Sequence, residues 1–238
     1  MSTALQPARL GAVQEALGLW AISFAAILLA YAYNANAAKL VATATFLYLP
    51  ILAMGRRGED YADYGLTLSG WRRDLRLYLG VCAVTLPLFA AGFVLWLEVL
   101  PHLPPGLAKV ITPLSGAAQF RPRLPDRFAE WVIDQMFVVA LPEEFFYRGY
   151  LQTRLRDAWP RGRRLFGIQL GPAFWLTAVL FALGHLAIFQ VWRLSVFFPA
   201  LLFAWARERT GTLLGATLIH ATFNLFELIL EASFLGRN

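Results

Sequence analysis

Two adjacent glutamates, Glu143 and Glu144, lie within an otherwise apolar segment of this sequence. Ionisable groups at membrane depth cost about 2.5–3.5 kcal/mol each on insertion scales, so they indicate function. Glu144 and Arg148 share one face of a helix and can form an ion pair. Glu143 has no cation three or four residues away, so it needs a wet cavity, groups from other helices, or a bound proton. A carboxylate in a confined wet site is what a general base requires.

Three further polar side chains, His185, His220 and Asn224, occur in apolar segments downstream. His220 and Asn224 are four residues apart, so in a helix their side chains converge on one face. An imidazole and an amide placed in this way can donate two hydrogen bonds to a developing oxyanion. With one glutamate to activate water and His185 to orient it, the set predicts peptide hydrolysis without a covalent nucleophile.

A metal site is the alternative reading of the same residues. Glu143, His185 and His220 are residue types that could ligate zinc. The sequence has no His-Glu-x-x-His helix, and its single cysteine, Cys82, excludes a disulfide framework or a cysteine zinc site within one chain. We therefore expect a site without a cofactor and keep zinc as the alternative.

The composition indicates the kind of scaffold that must position these residues. Hydrophobic residues make up 58% of the chain and charged residues only 15%, against about 25% charged in soluble domains. The net charge is +6, but the arginines cluster between apolar runs, as in membrane topology, and do not line one nucleic-acid-binding face. The sequence thus predicts an all-α polytopic membrane helical bundle, with the lipid bilayer and no nucleic acid as a partner.

We predict one integral membrane domain over residues 1–238, with N-terminal spanning helices in 1–100 and the catalytic motifs in 128–231. Seven crossings are expected; an eighth is left open and would move the N-terminus outside. The N-terminal sixteen residues could add an interfacial helix. A signal peptide with Ala35-Asn36-Ala37 as its cleavage site is the alternative to the first span. Lys and Arg are more numerous in segments placed inside, which predicts a cytoplasmic N-terminus. Abundant Ala, Leu and Arg with few Lys suit a bacterial protein, so we expect it in the bacterial inner membrane.

The predicted spans are Leu17–Tyr33, Leu40–Met54, Leu77–Leu97, Arg127–Asp157 with a kink at Pro142, Leu170–Trp192, Leu194–Ala206 and Gly211–Leu235. The predicted loops include a proline-rich one at Pro101–Pro125, with a short piece at Leu107–Pro113, and a basic one at Trp159–Phe166.

Three short motifs lie in apolar segments of the chain. In chain order they are Glu143-Glu144-x-x-x-Arg148 followed by Gly149 and Leu151, Phe181-x-x-x-His185, and His220-x-x-x-Asn224. Together and in this order they resemble the motifs of the CAAX protease and bacteriocin-processing family, also called Abi proteins. Gly65-Leu66 with Arg72-Arg73, at the entry to the third span, is also similar to the family.

The resemblance implies a glutamic intramembrane endopeptidase. It implies that Glu143 activates water, that His185 helps to hold this water, and that His220 and Asn224 form the oxyanion site. Glu144 with Arg148 would brace the first motif helix or position substrate, beside Phe181 of the second motif.

The resemblance also implies a membrane-associated protein or peptide as substrate. Size and layout further resemble bacterial enzymes of the myxosortase kind, which gives the narrower hypothesis of trimming C-terminal sorting tails before surface anchoring. The alternative is a non-catalytic immunity-type or transport-like membrane protein of the same fold. Neither the substrate nor the oligomeric state can be read from these residues.

Overall fold

An N-terminal helical hairpin opens the fold. The computed structural model describes residues 7–112, 114, 119–160 and 162–236. Helices α1 (Pro7–Tyr33) and α2 (Ala35–Arg57) are separated only by Asn34, whose side chain accepts a hydrogen bond from the Ala37 amide at 2.8 Å. Such a cap satisfies one of the free N–H groups at the start of a helix. The two-helix interpretation of this region is confirmed. Of the sixteen N-terminal residues considered for an interfacial helix, 7–16 belong to α1, and 1–6 lie outside the described residues.

A glycine turn connects the hairpin to the rest of the bundle. A 3₁₀ helix at Tyr61–Tyr64 ends on Gly65, which has a φ of 83°, a conformation that costs glycine little. The Gly65 carbonyl accepts a hydrogen bond from the Leu213 amide at 2.8 Å, just before the last helix. The Gly65 noted in the sequence therefore fixes where that helix starts. Next come α3 (Trp71–Val99), a 3₁₀ turn at Leu100–His102 and the short α4 (Pro105–Ile111). The short piece predicted in the loop is thus helical as far as Ile111, while Pro113 lies outside the described residues.

Helix α5, residues 128–158, carries the glutamate pair and is continuous but not regular. Its α-helical parts, Phe128–Ile133, Leu141–Glu144 and Gln152–Ala158, alternate with π-helical turns at Asp134–Ala140 and Phe145–Leu151. The long helix predicted here is confirmed, and its irregularity lies in π turns on both sides of Pro142. Wide turns of this kind occur frequently at functional sites.

The C-terminal part contains one element that the sequence reading missed and one boundary that it placed wrongly. A basic loop was expected after α5, but strands β1 (Arg163–Leu165) and β2 (Ile168–Leu170) pair there as an antiparallel hairpin. The fifth span was expected to reach Trp192, but α6 (Pro172–Gly184) gives way to a 3₁₀ turn at His185–Ile188. A second 3₁₀ turn, Val191–Val196, precedes the last two helices, α7 (Phe197–Thr210) and α8 (Leu214–Leu235).

The predicted all-α membrane bundle is confirmed. Within the described residues, four helical stretches are long and apolar enough to cross a membrane: Arg9–Tyr33, Ala35–Arg57, Trp71–His102 and Leu214–Leu235. Helix α6 has only 13 residues and α7 only 14, whereas a full crossing takes about 20. The number of crossings, seven or eight, therefore stays a prediction.

The core of the bundle holds α5 against the N-terminal hairpin and α6. Phe46 of α2 stacks on Phe146 of α5 with ring centroids 4.7 Å apart, and Tyr147 meets Phe181 of α6 edge-on at 5.0 Å. Offset and edge-on ring pairs of this kind add specific attraction to the burial of apolar area. At the other end of α5, the Glu15 carboxylate of α1 lies 3.3 Å from the Arg154 guanidinium. Aromatic contacts near the glutamates and an ion pair near the end of α5 thus hold this helix in place.

Candidate active site

The Glu144 carboxylate lies at the centre of the site and is fully buried. Its Oε1 lies 3.2 Å from Nη1 of Arg148 and accepts a hydrogen bond from Nδ1 of His220 at 2.9 Å. The predicted placement of Glu144 beside Arg148 is therefore observed, and His220 is a second partner that spacing within one helix could not reveal. A buried carboxylate needs such partners, because an unpaired charge away from water is strongly destabilising.

Arg148 is itself buried and enclosed by aromatic rings. Its guanidinium carbon lies 4.3 Å from the ring centre of Phe181 and 5.2 Å from that of Phe203, and Nη2 donates to the Ala200 carbonyl at 3.2 Å. A desolvated guanidinium over an aromatic face gains about 2 kcal/mol or more. Phe181 of the second motif therefore packs on the cation of the first motif, which is a structural reason for its position.

Glu143 differs from its neighbour because it has no tight partner. Its side chain is 17% exposed, and its Oε2 lies 3.9 Å from Nε2 of His220, which is too long for a direct hydrogen bond. Among the described residues this oxygen has no hydrogen-bond partner. Of the possibilities left by the sequence, the structure shows Glu143 facing groups from another helix. An unengaged carboxylate oxygen is available to accept a proton from water.

His185 has a hydrogen bond that defines its acceptor atom. Nδ1 lies 2.8 Å from the Phe181 carbonyl oxygen, which can only accept, so Nδ1 carries the hydrogen. In the neutral ring this leaves a lone pair on Nε2. His185 follows directly on the end of α6, at the first residue of the 3₁₀ turn. The side chain can therefore accept a hydrogen bond from water, as its predicted role requires.

His220 is held in the same way from the opposite side of the site. Its Nδ1 donates to the Glu144 carboxylate, and its ring stacks on Phe203 with centroids 4.7 Å apart and planes 14° apart. Nε2 is left facing Glu143. Donation from Nε2 to an oxyanion therefore requires a second proton on this ring, and Glu144 supplies the negative charge beside it.

Asn224 lies one turn beyond His220 on α8 but bonds a different residue of α5. Its Nδ2 donates to Oε1 of Gln135 at 2.8 Å. Gln135 is buried in the first π turn, two helical turns before Glu143, and was not among the predicted site residues. A polar amide in an apolar helix is the signal that could have marked it. The structure thus brings α5 and α8 together through two polar contacts, one at His220 and one at Asn224.

Comparison with protein families was decisive for the identity of this region. Residues 126–226 match the model of the Rce1-like family, described as type II CAAX prenyl endopeptidase. Over the segment that carries the three motifs, the chain is therefore similar to CAAX proteases. The matched segment contains every motif residue from Glu143 to Asn224, so the recognition made from the motifs is confirmed. No curated protein and no solved structure matches the chain. The narrower resemblance to myxosortases stays a hypothesis.

Two glycines allow the motif helices to approach closely. A Cβ on Gly184, next to His185, would lie 2.5 Å from the Tyr147 hydroxyl oxygen of α5. A Cβ on Gly149, next to Arg148, would lie 3.1 Å from the Tyr64 carbonyl oxygen. Contacts of these lengths are repulsive. The absence of a side chain at both positions therefore sets the distance between α5 and its neighbours.

The expected absence of a cofactor stays a prediction. Among the residues that the structure describes, no three His, Cys, Asp or Glu side chains are grouped as metal ligands. The Nδ1 atoms of His185 and His220 are both engaged as donors. A zinc ion would thus depend on the two Nε2 atoms and Glu143, and the direct test is a metal analysis of the active protein.

Proposed function

We propose that this protein is an intramembrane endopeptidase that hydrolyses a peptide bond near the membrane-associated C-terminus of protein substrates. The observation that carries the proposal is the contrast between the two glutamates. Glu144 is fully buried and its Oε1 contacts both Arg148 and His220. Glu143 is 17% exposed, and its Oε2 faces the same histidine from 3.9 Å, beyond hydrogen-bond distance. Two carboxylates in different environments take different roles in catalysis. The match of residues 126–226 to a CAAX endopeptidase family supports the reaction class.

In the proposed reaction, one water molecule donates two hydrogen bonds, one to Glu143 and one to Nε2 of His185. Its oxygen lone pairs are then free, and one of them attacks the carbonyl carbon of the scissile bond while Glu143 removes a proton from the water. The proton on Glu143 passes to the leaving nitrogen, the carbon–nitrogen bond breaks, and the carboxylate is regenerated. General base catalysis of this kind contributes about 10²–10⁴-fold.

The tetrahedral intermediate needs donors for its oxyanion. An N–H of Asn224 and, in its doubly protonated form, Nε2–H of His220 are the groups that we assign. Losing one donor of this kind costs about 10²–10³ in kcat. Glu144 contributes by holding His220 through Nδ1, so that Nε2 is directed at the reacting atoms. Its role is then to orient a catalytic group as well as to neutralise Arg148.

Two features of the substrate and setting belong to the same proposal. The substrate is a membrane-associated protein, and the candidate tails are a prenylated C-terminal peptide, as in the name of the matching family, or an unmodified hydrophobic sorting tail. We place the protein in a bacterial inner membrane with a cytoplasmic N-terminus.

The test compares C-terminal peptides of membrane proteins by mass spectrometry in a deletion strain complemented with the wild-type protein, Glu143→Gln or Glu130→Gln. Glu130 lies on the same helix but is exposed, so its variant is the matched control. We expect a set of C-terminal peptides to remain uncleaved with Glu143→Gln only. Normal processing by a well-folded Glu143→Gln protein would refute the proposal and favour a non-catalytic membrane protein.

A second arm uses the purified protein in lipid nanodiscs with two quenched fluorescent peptides. One ends in a farnesylated cysteine followed by three residues, and the other ends in an unmodified hydrophobic tail with basic residues. Cleavage of the first alone supports a prenyl substrate, and cleavage of the second alone supports tail sorting. Failure to cleave either, together with unchanged C-termini in cells, would exclude both.

A further inference from the structure

The contact between Gln135 and Asn224 joins two amides across the bundle. Gln135 lies in the first π turn of α5 and is only 8% exposed, while Asn224 lies on α8. The hydrogen bond between them measures 2.8 Å. In an apolar bundle, each amide has few alternative partners, so the contact restricts how both side chains can turn.

The neighbouring Asp134 carboxylate determines which of the two amides donates in this hydrogen bond. The Lys39 ammonium lies 2.5 Å from Oδ1 of Asp134, and Nε2 of Gln135 lies 3.4 Å from Oδ2 of the same carboxylate. An ammonium group only donates and a carboxylate only accepts. Gln135 must therefore direct its amide nitrogen to Asp134 and its oxygen to Asn224. Asn224 in turn presents its nitrogen to Gln135, and this nitrogen keeps a second N–H.

We propose that Gln135 is a positioning residue that fixes the carboxamide of Asn224, so that the remaining N–H of Asn224 is directed at the oxyanion. This inference rests on the proposed function. It assigns the reaction a residue that lies outside the three family motifs. Without the acceptor on Gln135, the Asn224 amide can rotate and present its oxygen, which would repel an oxyanion.

The experiment measures kcat and KM of Gln135→Met and Gln135→Glu in nanodiscs, with whichever of the two quenched peptides the wild-type protein cleaves. Methionine keeps the length of the side chain but removes the acceptor. Glutamate keeps an oxygen acceptor whether or not it is protonated. We expect kcat to fall about 10-fold or more with Gln135→Met, up to the 10²–10³-fold loss of a whole oxyanion donor. KM should change little, and Gln135→Glu should recover most of the rate.

A double-mutant cycle separates positioning from a general effect on the fold. If Gln135 acts through Asn224, then adding Gln135→Met to Asn224→Ala should lower kcat no further, because interacting sites are not additive. A merely structural role predicts that the two losses multiply. If Gln135→Met does not fold, Gln135→Asn replaces it, since this side chain keeps the amide but is one methylene too short to reach Asn224.

Each result has a defined meaning. Wild-type kcat in folded Gln135→Met, absence of rescue by Gln135→Glu, or multiplicative losses in the cycle would each overturn the inference. These outcomes are compatible with an inactive Glu143→Gln protein, in which case only the role of Gln135 is wrong. If Glu143→Gln is fully active, the proposed function itself fails.

Discussion

Replacing Arg148 with methionine should destabilise the bundle, because the buried Glu144 carboxylate would lose its closest cation, 3.2 Å away. Removing one partner of a buried ion pair typically costs about 3–5 kcal/mol. Here Glu144 keeps its hydrogen bond from His220 at 2.9 Å, and methionine can still pack on aromatic rings. We therefore expect a cost near the lower end, about 3 kcal/mol.

The assay is thermal unfolding of the purified variant in nanodiscs, together with the yield of folded protein. For a chain of this size, about 3 kcal/mol corresponds to a decrease in Tm of about 6–12 °C. The matched control is Arg156→Met on the same helix, whose partner Glu208 lies 3.3 Å away and whose side chain is 42% exposed. A partly exposed pair is worth about 0–1 kcal/mol, so the control should change Tm by only a few degrees.

The double variant Glu144→Gln with Arg148→Met completes the test. It removes both charges, while the glutamine oxygen can still accept the hydrogen bond from His220. Neutral replacement of a whole buried ion pair is often neutral or stabilising, so Tm should recover. A stable and abundant Arg148→Met protein without activity would refute the reasoning. Arg148 would then be a substrate contact and not a brace for Glu144.

Two further predictions concern the close approach of two helices and an ion pair between the end of α2 and the loop after it. Gly184→Ala should lower both Tm and kcat, because its Cβ would lie 2.5 Å from the Tyr147 hydroxyl. Adding Tyr147→Phe removes this hydroxyl and should partly restore both quantities. The control is Gly80→Ala, which should be neutral because open space surrounds Gly80. The hydrogen bond from Arg57 lowers the pKa of Glu59 below its ordinary value. This contribution to stability is complete above the ordinary carboxyl pKa and is lost as the pH falls through the lowered value. Between pH 7 and pH 3, the Tm of Glu59→Gln should therefore fall less steeply than that of the wild-type protein. An equal slope of Tm against pH would contradict this assignment.

Sequence alone determined the class of the fold and which polar residues are candidates for a site. Hydropathy is a property of each segment, so the helical hairpin, α3, α8 and the membrane setting could be predicted. The spacing of Glu144 and Arg148 placed them on one helical face, as observed. Spacing also showed that Glu143 lacks a partner on its own helix, and the motif order indicated the family.

Only the tertiary structure decided the contacts between helices, because these depend on how helices rotate and approach and not on local spacing. It showed that His220 pairs with Glu144 and that Asn224 bonds Gln135. It placed the end of α6 at Gly184, where Tyr147 fills the space that a side chain would take. The sequence marked which side chains are too polar for a membrane. The packing of α5, α6 and α8 determined that Arg148 and His220 contact Glu144, whereas Glu143 is partly exposed and lies 3.9 Å from His220.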